Sequence, residues 1–80
     1  MSTNFETFQN RLKETYDILF ETNPDYQYAK KITTSEALAN KMTTALAEGI
    51  GNKDGEGIKR VCKALGVKYT YKAIKEFLNA

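Results

Sequence analysis

The chain has 80 residues, 41% of them hydrophobic and 28% charged, with one cysteine, no histidine and a net charge of +2. This is one domain at most, near the size at which a single core supplies only ~3–5 kcal/mol, and its composition is that of a globular rather than a disordered chain. A lone cysteine and no histidine exclude an internal disulfide, a Cys/His zinc site and any His-dependent catalytic arrangement.

Ser2 and Ser35 are the only serines, and neither has an imidazole to serve as its base. The opening residues carry neither the basic start nor the apolar run of a signal peptide, and runs such as Ile18-Leu19-Phe20 are too short to span a bilayer. The expectation is a soluble, cytoplasmic protein, not an enzyme, with no cofactor, no metal and no membrane partner.

The net charge hides an asymmetry. Residues 1–27 hold five acidic and two basic side chains, and residues 28–80 hold ten basic and five acidic. A polyanionic partner is therefore compatible with a chain that is close to neutral overall.

In chain order, Thr3-Asn4-Phe5-Glu6 fits a capping box. Phe5, Phe8, Leu12, Tyr16, Leu19 and Phe20 follow at steps of three and four, which predicts a helix of about four turns with one apolar stripe. Arg11, Glu14, Asp17 and Glu21 fall on the wet face. Asn23-Pro24-Asp25 stops this helix and starts another, with Asn23 as cap and Pro24 at its first position. That short helix should reach about Lys31, with Tyr26 and Ala29 on one side.

Thr33-Thr34-Ser35-Glu36 reads as a second capping box with Thr33 or Ser35 as cap. Leu38, Met42, Ala45 and Leu46 are its expected apolar face, and Ala37, Ala39 and Ala47 act as helix formers. Gly49 and Gly51 should end it. Asp54 is the expected cap of the next helix, whose apolar face is Ile58, Val61, Cys62 and Leu65 and whose end is Gly66. Val67 should tuck inward, and Thr70 should cap a last helix that buries Ala73, Ile74, Phe77 and Leu78. The predicted fold is all-α, a compact bundle of four to five short helices in one domain over 1–80.

The loop from Gly49 to Gly57 contains neither GxxxxGK[ST] nor GxGxxG. Aligned as a calcium loop it places Ile50 and Val61 where carboxylates are required. It therefore reads as a glycine-relaxed connection, with Lys53 and the amides of the helix start as a weaker anion-binding alternative. The carboxylates of Asp54 and Glu56 read as solvated helix-start charges, and Cys62 as a small core hydrophobe.

The stretch 57–75 stands apart. It carries Lys59, Arg60, Lys63, Lys68, Lys72 and Lys75, no acidic residue, and the tyrosines Tyr69 and Tyr71. These eight residues are the candidate binding site, for protein or for nucleic acid.

Two resemblances attach to this stretch. Residues 61–74 resemble a helix-turn-helix, with Cys62 as the small residue before the turn, Gly66 in the turn, Val67 after it and Thr70 opening the second helix. Tyr71 and Lys72 stand where that motif has a threonine and an apolar residue. The chain as a whole, with its run GNKDGEGIKRVCKALGVKYTYKAI, resembles small accessory proteins of phages and prophages, a group that includes anti-CRISPR inhibitors. That resemblance implies steric inhibition of a host protein or ribonucleoprotein complex. The helix-turn-helix implies a small DNA-binding regulator. A third reading is an assembly subunit that uses the aromatics of the first helix as an interface.

Overall fold

A computed structural model describes residues 3–50 and 55–80. Among them are five α-helices and one 3-10 turn: α1 (Asn4–Thr22), the turn Pro24–Tyr26, α2 (Gln27–Ile32), α3 (Ser35–Ala47), α4 (Gly55–Leu65) and α5 (Tyr71–Leu78). The described residues contain no strand, and the all-α expectation holds. The Cα radius of gyration is 11.8 Å, close to the ~12 Å of a compact chain of this length.

The organising element is α1. Its start is fixed by the Thr3 hydroxyl, which accepts the Glu6 amide at 3.0 Å, and its length is nineteen residues, about one turn more than the stripe predicts. Phe8, Leu12, Tyr16, Leu19 and Phe20 are buried and Phe5 is partly buried. Helices α3, α4 and α5 all pack against α1. Tyr16 lies within 6.0 Å (ring centroids) of both Phe20 and Tyr26. The ring of Tyr26 thus lets the proline turn close one end of the core, and Phe77 of α5 meets Phe8 at 6.4 Å near the other.

The predicted helix from Pro24 to Lys31 resolves into the 3-10 turn and then α2, which continues to Ile32. Asn23 caps it by accepting the Asp25 amide at 2.9 Å. Tyr26 and Ala29 pack on the core as expected.

Two expectations for α3 need correction. The cap is Thr34, not Thr33 or Ser35: its hydroxyl accepts the Ala37 amide at 3.1 Å, and the Ser35 hydroxyl instead donates to the Asp17 carboxylate of α1. The buried face is Ala39, Thr43 and Leu46, with Leu38, Met42 and Ala45 only half-buried. The physical reason is close approach, since the small side chains of Ala39 and Thr43 let α3 lie flat along α1. The helices run antiparallel, with Ser35 beside Asp17 at one end and Asn40 within 3.4 Å of Gln9 toward the other.

Helices α3 and α4 end in the same way. Gly49 has φ +81° and Gly66 has φ +72°, the left-handed conformation that glycine adopts without a Cβ clash. The Ile50 amide donates to the Ala45 carbonyl at 2.8 Å, and the Val67 amide to the Cys62 carbonyl at 2.9 Å. Both are the six-to-one bond of a Schellman motif. Val67 packs on the core as predicted. The expected capping of α4 by Asp54 lies outside the described residues, as do Gly51 and Lys53.

Candidate functional site

The inner side of α4 is apolar without interruption. Ile58, Val61 and Cys62 are buried and Leu65 is partly buried against α1. Burial pushes the Cys62 thiol above its ordinary pKa, so the sulfur packs as a hydrophobe. At 3.6 residues per turn this anchoring leaves the opposite arc to Lys59, Arg60 and Lys63, and all three are exposed. The expected cationic face of this helix is present.

It is less charged than its three cations suggest. The Arg60 guanidinium is 2.8 Å from the Glu56 carboxylate one turn earlier, a favourable i,i+4 order on a helix. Counting charge from Gly57 onward leaves Glu56 out, although the Glu-x-x-x-Arg spacing is visible in the sequence. Among the described residues, Lys59 and Lys63 have no ionic partner. They stand one turn apart on one flank of α4, in line with Gly55.

The connector from Gly66 to Thr70 does not lead away from α4. The Tyr69 hydroxyl donates to the Gly55 carbonyl at 3.2 Å, so the chain leaves the end of α4 and returns to its start. Gly55 makes this seat fit, because a Cβ there would stand 3.3 Å from the tyrosine oxygen. A tight bond from the Thr70 amide to the Lys68 carbonyl, 2.8 Å, turns the chain at Tyr69. Thr70 is extended (φ −137°, ψ 150°) and caps α5 by accepting the Ala73 amide at 3.2 Å. An extended residue places its two neighbours on one side. Tyr69 and Tyr71 accordingly line one shallow cleft of about 380 Å³, with Thr70 beside them and Ile74 contributing to its lining.

The remaining lysines divide. Lys68 is exposed on the connector beside Tyr69. Lys72 and Lys75 line a different cleft, with Ala47, Glu76 and Asn79, on the seam between α5 and α3. The Lys75 ammonium lies 3.1 Å from where a Gly49 Cβ would be, over the C-terminal end of α3, where a cation is favourable to the helix dipole. Of the eight candidate residues, Lys59, Arg60 and Lys63 share the outer face of α4, Tyr69 touches the start of that helix at Gly55 and shares a cleft with Tyr71, Lys68 is exposed on the connector, and Lys72 and Lys75 are set toward α3.

The helix-turn-helix pattern is matched in its turn and not in its packing. Gly66 is left-handed and Thr70 caps, yet α4 and α5 make no extended contact with each other. Instead α4 rests on α1, and α5 on α3 and α1. Among the described residues no acidic or Cys cluster could hold a metal ion, and no helix is long and apolar enough to cross a membrane. No protein-family model matches the chain, and no match is found among curated proteins or solved structures.

Proposed function

We propose that this chain is a non-enzymatic binding protein of the phage-accessory, anti-CRISPR-like kind, which blocks a host ribonucleoprotein complex by covering an anionic surface with the outer face of α4. The observation that supports this reading is the two-sided character of that helix: a buried apolar side that fixes it on α1, and Lys59, Arg60 and Lys63 aimed at solvent. A cationic face on a rigid support steers association with an anionic partner and fixes register at the contact.

A small DNA-binding regulator is the second reading, favoured by the left-handed Gly66 and the Thr70 cap. It asks for two helices that brace each other in the duplex groove, and here the bracing comes from α1.

The test compares two triple variants against a purified nucleic-acid-targeting ribonucleoprotein. Reversal of Lys59, Arg60 and Lys63 to glutamate should abolish binding to the complex and its inhibition, with an unchanged far-ultraviolet circular dichroism spectrum. Neutralisation of Glu14, Asp17 and Glu21 should leave both in place. Loss of inhibition in the α1 variant alone, or tight sequence-selective duplex binding by the isolated protein, overturns the reading.

A further inference from the structure

The geometry points to the nucleic-acid class this face takes: a single strand, with bases stacked in the Tyr69–Tyr71 cleft and phosphates led along the Lys59–Lys63 flank of α4. The inference rests on α4 being the contact face, and adds what lies beside it.

Three observations carry it. First, both tyrosines are about half exposed, 50% for Tyr69 and 55% for Tyr71, and Tyr28 of α2 is exposed at 72%, whereas the aromatic rings of Phe8, Tyr16 and Phe20 are buried completely or nearly so. Second, both line the same cleft over Ile74, one on each side of the extended Thr70. Third, the bond from Tyr69 to the Gly55 carbonyl sets the Tyr69 hydroxyl at the start of α4, one helical turn before Lys59, and Lys68 precedes Tyr69 on the connector.

Charge decides the occupant. An apolar peptide would gain nothing from the exposed Lys59 and Lys63 of α4 or from Lys68, next to Tyr69 in the chain, and an acidic peptide brings few flat rings. A single strand supplies both an anionic backbone and unpaired bases with open π-faces, the combination that aromatic platforms in cationic grooves accept. In a duplex those faces are already stacked, so the tyrosines would have nothing to receive. On a ribonucleoprotein, the corresponding target is a stretch of guide or substrate strand that is not paired.

The experiment is fluorescence anisotropy on the isolated protein, with labelled oligothymidine and oligouridine of about 16 nucleotides, the long end of single-strand site sizes, and a duplex of equal length. Both single strands should bind more tightly than the duplex, and a difference between them tells DNA from RNA. Tyr71→Ala should weaken single-strand binding by roughly 5- to 150-fold, the range of one lost base stack, with the salt dependence unchanged. Tyr71→Leu keeps the apolar bulk and a good helix former and should behave alike, which separates stacking from a folding defect. Lys59→Gln with Lys63→Gln should instead flatten the salt dependence, by about 0.7 in slope per phosphate lost.

Unchanged affinity in both Tyr71 variants, or a duplex bound as tightly as the single strands, overturns the inference. If no single strand binds while reversal of the α4 charges still abolishes inhibition of the host complex, this inference fails and the proposed function stands. If single strands bind as described and the reversal leaves inhibition intact, the function reading fails and the cleft remains a single-strand site.

Discussion

Helices α1 and α4 are built alike on the inside and use their outer charges in opposite ways. Each buries an unbroken apolar stripe, Phe8, Leu12, Tyr16 and Leu19 on one and Ile58, Val61 and Cys62 on the other. On the outside of α1, two of the four acids reach other elements. Asp17 receives the Ser35 hydroxyl of α3, besides holding Lys13 of its own helix at 3.3 Å, and Glu21 holds Lys30 of α2 at 2.7 Å. On the outside of α4, among the described residues, the one ion pair, Arg60 with Glu56, stays within the helix. A charge already committed to a neighbouring element serves the fold, and a charge facing solvent on an anchored helix remains available to a partner. The proposed contact through α4 rests on this difference between the two helices.

The strongest way to break this comparison is to remove the anchoring that the two helices share. Leu12→Ala in α1 and Ile58→Ala in α4 should each cost ~2–5 kcal/mol, a large share of what a core of this size supplies. Denaturant unfolding followed by circular dichroism measures both. Tolerance of Ile58→Ala with little loss would mean that α4 is not held firmly, and a loosely held helix could not present its lysines in a fixed register.

A smaller and more discriminating effect comes from the outer faces. Asp17→Ala and Glu21→Ala should each cost ~0.2–1 kcal/mol, the usual range for exposed ion pairs, because each cuts a link between elements. Lys59→Ala and Lys63→Ala should move stability by less than ~0.5 kcal/mol while weakening binding to the partner. Equal stability losses on the two helices would erase the distinction between committed and available charge.

The inner faces of α1, α4 and α5 were legible in the sequence because burial repeats at the helical period, and so were the Thr3 cap, marked by Glu6 three residues on, and the Thr70 cap, which stands alone between two tyrosines. The start of α3 was not. Thr33, Thr34 and Ser35 can all cap, and the choice follows from the rotation that brings Ala39 and Thr43 against α1, a tertiary requirement that hydrophobicity ranking passes over. The same holds at the site. The spacing of Lys59, Arg60 and Lys63 placed them on one arc, but the return of the connector to Gly55 joins residues 14 apart in sequence and depends on the path of the chain. The setting of Lys72 and Lys75 toward α3 depends likewise on how α5 lies on its neighbours.

The smallest expected effect concerns Asp17, the acid on which the α1 side of the comparison turns. The Ser35 hydroxyl above all, with Lys13 adding to it, holds its carboxyl below the ordinary value of 3.8, against the opposing effect of desolvation. A carboxyl whose pKa is lower in the folded chain than in the unfolded one stabilises the fold while it is ionised. That contribution is complete above 3.8 and is lost as the pH falls through the lowered folded-state value. Both partners of the Lys13–Asp17 pair are about half exposed, 42% and 53%, so solvent screening keeps the contribution small. Melting wild type beside Asp17→Asn, from about pH 6 down to about pH 2, isolates it from the other acids. The gap between the two proteins should stay constant to about pH 4 and close below it, and Ser35→Ala should make the gap smaller and complete its closure at a higher pH by removing the first of the holds. A gap that persists undiminished to the lowest pH would show that Asp17 ties α1 to α3 through packing rather than charge, and the contrast with α4 would then have to rest on Glu21 and Lys30 alone.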